Sequence, residues 1–80
     1  MRLDKYLKVS RIIKRRTVAN EACDQGRVMV NGKVARASYD VKVGDVLELR
    51  YGDKSSKMEV LSVVEHVGKD GASELYRIIQ

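Results

Sequence analysis

From Leu3 onward, Leu3, Tyr6, Leu7, Ser10 and Ile13 follow the i, i+3, i+4, i+7 spacing of one helix face. At about 100° per residue, Lys5, Lys8, Arg11 and Arg15 project away from that stripe. The pattern predicts an amphipathic helix with a cationic outer face. A second, narrower apolar arc follows in Val18, Ala19, Ala22 and Cys23, with Asn20, Glu21 and Asp24 on its polar side. Thr17 suits the N-cap of this helix, and Gln25-Gly26 suits its stop, because glycine accepts the left-handed conformation beyond a helix end. The second helix is expected over about residues 18–25, with no lysine or arginine of its own.

After Gly26 the period changes to two. Val28 and Val30 alternate with Arg27 and Met29, Asn31-Gly32 is a strong hairpin signal, and residues 33–36 return. A turn at Val43-Gly44-Asp45 leads into a strand over 46–51, with Leu47, Leu49 and Tyr51 facing one way. Gly52-Asp53-Lys54 turns again. Residues 57–67 read as a long β-rich run whose alternation slips at 62–64, which suggests a bulge. Residues 68–73 then join it to a last strand over 75–79. The expected fold class is α+β: two short N-terminal helices followed by a small, mainly antiparallel sheet. Without a proline, a repeat or a low-complexity linker, one domain over residues 1–80 is expected, ending in a C-terminal β-hairpin over about 57–80.

Cations also recur at every third position, at Arg2, Lys5, Lys8, Arg11 and Lys14, and suggest a single ridge. Three residues advance only about 300°, so the row slips about 60° at each step and winds around a straight helix. Either the set divides between surfaces or the helix breaks. A break near Ser10-Arg11 is favoured.

Composition narrows the choice of function. Eighty residues with four Tyr and no Phe or Trp support one modest aliphatic core, with little room for a catalytic pocket. A single cysteine cannot form an internal disulfide, no secretory apolar region precedes the charged start, and no apolar run is long enough to span a bilayer. A cytoplasmic protein with no membrane association is expected. Residues 1–36 hold ten Lys/Arg against three acids, and residues 37–80 six against eight, so the first part is +7 and the rest −2. Such segregation points to a polyanionic partner rather than a mere solubilising bias.

Catalytic chemistry has little to work with. Cys23 lies on the apolar arc of the second helix and reads as a buried structural thiol. His66 reads as a surface or edge residue of a strand. No close group of His, Cys and acids could hold zinc, no carboxylate pair is marked as acid and base, and the glycines fall singly at turns. Neither an enzyme nor a cofactor is expected. The segment Lys14-Arg15-Arg16-Thr17 is the best functional candidate, since three cations precede a helix N-terminus whose free N–H groups and dipole favour an anion. Arg2, Lys5 and Arg27 could extend that patch. Tyr6, Tyr51 and Tyr76 read as core residues and Tyr39 alone as exposed, so base stacking is expected to matter less than charge.

Four blocks also carry a resemblance. Arg2-Leu3-Asp4-Lys5-Tyr6-Leu7, Lys14-Arg15-Arg16-Thr17, Gly26-Arg27-Val28-Met29-Val30-Asn31-Gly32-Lys33 and Val41-Lys42-Val43-Gly44-Asp45 together resemble the RNA-binding domain named after ribosomal protein S-four, the alpha-L motif. The resemblance covers about residues 1–51, and its specificity lies in four blocks in the family's order and spacing. Met1-Arg2-Leu3-Asp4-Lys5 through Lys8-Val9-Ser10-Arg11, Ile13-Lys14-Arg15-Arg16-Thr17 and Asp24-Gln25-Gly26-Arg27 are further similar to the RqcP (YabO-type) family of bacterial ribosome quality-control factors.

This resemblance implies a non-catalytic factor that binds rRNA of the large ribosomal subunit and tRNA where peptidyl-tRNA is obstructed, beside an RqcH-type tailing factor as alanine tails are added. Its implied RNA-contacting residues are Arg2, Lys5, Arg11, Lys14, Arg15, Arg16, Thr17 and Arg27. A monomer is expected. The alternative is a general ribosome-associated heat-shock or ribosome-assembly protein of the same domain family. The heat-shock relative has a longer basic C-terminal extension, and an end at Gln80 favours the quality-control reading. Two further rivals are a DNA-binding helix-turn-helix protein and a protein-interaction adaptor. Asn20, Glu21 and Asp24 on the would-be reading helix suit a phosphate-lined groove poorly. Replacing Arg2 and Arg16 by Ala is expected to separate the adaptor reading from RNA binding with little unfolding, because both side chains should be exposed.

Overall fold

The computed structural model describes residues 1–65, 67–68 and 71–79. Helix α1 spans Leu3–Val9 and α2 spans Arg16–Asp24. Strands β1 (Val28–Val30), β2 (Lys33–Val34), β3 (Val46–Tyr51) and β4 (Lys54–Val60) follow, and a 3-10 turn at Ala72–Glu74 precedes β5 (Tyr76–Ile78). The sheet runs β2-β1-β3-β4-β5 with every neighbour antiparallel. This is the α+β layout that the periodicities predict.

A seven-residue helix is too short to persist alone, so α1 depends on tertiary partners. Leu3, Tyr6 and Leu7 are fully buried against Ala19, Ala22 and Cys23 of α2 and against Val28, Leu47 and Val60 of the sheet. The free donors of its first turn are also satisfied. The N–H groups of Leu3 and Asp4 donate to the carbonyls of Tyr39 (2.8 Å) and Ala37 (3.2 Å), and that of Lys5 to Asp4 Oδ1 (2.8 Å). At the far side, the Tyr6 hydroxyl donates to the Leu75 carbonyl (2.7 Å), tying α1 to the last part of the chain.

The helix breaks at the expected place. Ser10 is the C-cap, buried, with its hydroxyl donating to the Leu7 carbonyl (3.3 Å). Arg11 follows at φ 62°, a left-handed conformation that costs an L-residue about 1–2 kcal/mol. The second helix departs from expectation at its start. Its N-cap is Arg15, in extended conformation and without a side-chain cap, while Arg16 is the first helical residue and Thr17 an exposed second one. Thr17 therefore does not cap α2, and the helix does hold an arginine. The physical reason lies in the backbone: Arg15 is the last extended residue (φ −118°, ψ 133°) and its carbonyl already accepts from the Ala19 N–H (3.0 Å), so Thr17 is inside the helix. Val18, assigned to the apolar arc, is 46% exposed. The stop is as predicted: Gly26 at φ 74° lets its own N–H reach the Cys23 carbonyl and that of Arg27 the Ala22 carbonyl, both at 3.0 Å.

Asn31 and Gly32, both at positive φ, close the β1–β2 hairpin. The Asn31 side chain accepts from the Val46 N–H (2.9 Å) and donates to Asp45 (3.1 Å), which pins the hairpin tip to the start of β3. The long run expected over 57–67 is corrected. Strand β4 ends at Val60, and residues 61–64 lie in no strand. Instead of a bulge, the N–H groups of Leu61 (2.9 Å) and Ser62 (3.2 Å) both donate to the Leu75 carbonyl, which explains the slipped alternation. The expected strand position of His66 lies outside the described residues. Two tyrosines exchange roles: Tyr39 is half-buried and donates to Asp45 (3.3 Å), whereas Tyr51 is 47% exposed near the end of β3.

Gly26→Ala is expected to lower stability by about 1–2 kcal/mol in urea unfolding. A Cβ there would meet nothing nearer than Val34 Cγ1 at 4.0 Å, so the loss comes from the backbone conformation.

Candidate nucleic-acid interface

Asp4 is the residue that composition alone did not single out. It stands on the flank of the apolar stripe, beside Leu7, and packing of α2 on α1 leaves its side chain 3% exposed. Arg2 Nε donates to one carboxylate oxygen (3.2 Å) and Arg2 Nη2 to the other (3.4 Å). Arg16 Nη2 (3.5 Å) and Asn20 Nδ2 (3.1 Å) add two donors from α2, and the Lys5 N–H adds a third from the chain beside it. Burial by itself raises the carboxyl's pKa. The bonds from Arg2, Asn20, Arg16 and the Lys5 N–H outweigh it and bring the value from 3.8 down to about 2.

Both guanidiniums stay half exposed, at 50% for Arg2 and 47% for Arg16. Each is held by Asp4 on one side and open to solvent on the other. That is a fixed pair of forks with free donors, the geometry suited to phosphate oxygens. Thr17 lines the same shallow cleft, together with Asp4, Arg16, Asn20 and Glu21.

The other cations fall into a second group. Lys8, Arg11 and Lys14 line a groove shared with Glu65 and Val67, and Lys5 pairs with Glu65. The row of every third cation is therefore divided, with Arg2 turned to Asp4, Lys5 to Glu65 and the last three to the groove. Arg15 is exposed at the N-cap of α2. Arg27 is exposed just before β1, its carbonyl accepting from the Arg50 N–H (2.8 Å), and no bond joins it to the Asp4 group among the described residues. Among the described residues, Arg11, Lys14, Arg15 and Arg27 make no ion pair.

Cys23 is buried, which pushes its thiol up to about 11, helped by the charges of Asp4 and Asp24. It is protonated at neutral pH and is no nucleophile. Among the described residues no three His, Cys, Asp or Glu side chains gather into a metal site, and no helix is long and apolar enough to cross a membrane.

This arrangement of α1, α2 and the hairpin that follows has a known counterpart. Residues 1–47 match the S4 domain, and the fold and its cationic surface define an S4-domain protein. Over 78 residues the chain is 56% identical to the RQC P-site tRNA stabilizing factor of Halalkalibacterium halodurans, covering 98% of this chain and 89% of that one. It is 50% identical to the factor of the same name from Bacillus subtilis over 80 residues, 100% of this chain and 93% of the other. Among solved structures, the trimeric heat shock protein 15 of Vibrio cholerae superimposes with a TM-score of 0.90 at 31% identity, over 99% of this chain and 81% of that one. The chain belongs to the family of RQC P-site tRNA stabilizing factors.

Because the pKa of Asp4 is depressed in the folded state, its contribution is fully present above about pH 5 and is lost as pH falls toward 2. Asp4→Asn should destabilise the protein at pH 7 by on the order of 2 kcal/mol. It should also flatten the acid limb of a stability profile measured by chemical unfolding between pH 5 and 2. An unchanged acid limb would show that Asp4 is not the titrating group.

Proposed function

We propose that this chain is a non-catalytic RNA-binding factor that grips rRNA and tRNA on large ribosomal subunits carrying obstructed peptidyl-tRNA, and so supports C-terminal alanine tailing. The observation that carries the reading is the pair of half-exposed guanidiniums, Arg2 and Arg16, held on one buried carboxylate in a chain half identical to named P-site tRNA stabilizing factors. Phosphate contacts from Arg2, Arg16, Lys14 and Arg15 supply the affinity. Lys5, Arg11 and Arg27 extend the patch, and Thr17 offers a hydroxyl beside Arg16. Because the starts of the two helices and the link between them present most of these groups at fixed positions, binding selects the spacing of phosphates on folded RNA rather than a base sequence. The protein acts as a monomer in the cytoplasm beside an RqcH-type tailing factor, and the −2 remainder of the chain is the surface left for that partner.

A general ribosome-associated heat-shock role is the second reading, favoured by the TM-score of 0.90 to heat shock protein 15. Quality control requires that isolated large subunits bind more tightly when they hold a P-site tRNA. Equal binding with and without tRNA would favour the general role.

Neutralising about four to six phosphates gives a log K versus log salt slope of roughly −3 to −5 in ribosome co-sedimentation, and a slope near zero would remove the phosphate model. Arg2→Ala with Arg16→Ala should weaken binding by at least about tenfold, since one bond to a charged group is worth about 1.5–3 kcal/mol. That pair does not spare the fold, contrary to the expectation from exposure, because it strips Asp4 of both cations. Lys14→Ala with Arg15→Ala leaves Asp4 untouched and should lower affinity with unfolding midpoints unchanged. Full ribosome binding by both variants would favour a protein-interaction adaptor instead.

A further inference from the structure

The helices do not cover the whole inner face of the sheet. Leu47, Leu49 and Tyr51 share that face, and the register places Met58 beside Leu47 and Ile78 beside Met58, with Ser56 beside Leu49 and Lys54 beside Tyr51. Leu47 and Met58 are buried, but toward the far end Leu49 is only half-buried, Tyr51 is 47% exposed and Ile78 is 67% exposed. The overhang forms a cleft of about 400 Å³ closed on one side by Arg11 and Ile12. Such an uncovered aliphatic and aromatic surface is what a ligand-binding face looks like.

Four features say what fits. Among the described residues, the only charged one that lines the cleft is Arg11, so the occupant is anionic at that edge. Arg11 also lines the groove of Lys8 and Lys14, so cleft and basic joint meet at one residue. The Tyr51 hydroxyl and Ser56 Oγ are hydrogen-bonded at 3.0 Å, which fixes the ring before anything binds and reduces the ordering cost of stacking. Arg11 itself stands at φ 62°, where glycine would be relaxed, and a strained arginine is best accounted for by work done by its side chain.

We propose that this cleft takes an unpaired nucleobase of the RNA held at the basic joint. The base lies against the Tyr51 ring and the aliphatic floor of Leu49, Met58 and Ile78, and its phosphate sits on Arg11. This rests on the phosphate-binding reading above and adds to it a single-stranded nucleotide beside the structured RNA. Every base has a face to stack, so the site reads the presence of an unpaired residue and not its identity.

The test uses the full chain and two labelled RNA hairpins of the same stem, one blunt and one with a three-nucleotide unpaired overhang. The overhang should improve affinity by roughly tenfold for the parent protein. Tyr51→Leu should abolish most of that ratio, Tyr51→Phe should keep the larger part of it because only the hydroxyl bond to Ser56 is lost, and Arg11→Gly should reduce it. Each variant is its own reference, so a change in folding does not mimic the effect. Equal affinity for the two hairpins in the parent, or an undiminished ratio in Tyr51→Leu, overturns the proposal while leaving the phosphate reading standing. If neither hairpin binds, both readings fall. If Tyr51→Leu loses ribosome co-sedimentation while the parent binds both hairpins equally, the cleft belongs to a protein partner and the proposal is wrong.

Discussion

A carboxylate taken out of water must be fully bonded or the fold fails, and the Asp4 side chain is that group here. Its two oxygens receive donors from Arg2 before α1, from the Lys5 N–H in α1, and from Arg16 and Asn20 in α2. The helix pair has little else to align it, since α1 has seven residues and α2 has nine. Apolar packing through Leu3, Leu7, Ala19 and Ala22 brings the helices together without direction, and the bonds to Asp4 set how they meet. The arginines that balance the buried charge thus also face solvent with donors to spare.

The break after α1 has a similar double effect. Ser10, Arg11 and the link before α2 interrupt what would otherwise be a helical row of cations winding around one axis. Chain reversal at that point divides the charge into one set on the Asp4 bond network and another along the Lys8–Arg11–Lys14 groove. Two separated cationic groups have a direction and a spacing, which a single ridge would not. The sheet contributes reach. Its inner face runs past the helices and ends on Tyr51, beside the same Arg11 that closes the groove.

Several connections give this small core its rigidity. The Leu75 carbonyl accepts from the Tyr6 hydroxyl and from the N–H groups of Leu61 and Ser62, so one atom ties α1, the end of β4 and the approach to β5. Asp45 accepts from Asn31, Tyr39 and the Lys42 N–H, joining the hairpin tip to the segment that supplies carbonyls to the start of α1. Both nodes lie between segments distant in sequence. Their effect is to hold the N-terminal residues, and with them Arg2, in a defined place although they begin the chain.

Local rules acted where neighbours along the chain decide the outcome. Stripe periodicity determined α1 and most of α2, Gly26 determined the helix stop, Asn31-Gly32 determined the hairpin, and the charge count placed the cationic excess in residues 1–36. What only the tertiary structure decided involves partners far apart in the chain. Asp4 became buried because α2 packs on its flank, and projection of one helix cannot tell a flank from solvent. Thr17 lost the cap because the helix starts at Arg16, whose side chain also reaches Asp4. Strand β4 stopped at Val60 because the Leu75 carbonyl claims the next two N–H groups. Tyr51 is exposed because helix length, not strand alternation, sets how much of the sheet is covered, and Tyr39 is half-buried because its segment packs on the core with the hydroxyl on Asp45. Alternation says which side chains share a face, and only the packed fold says where that face ends.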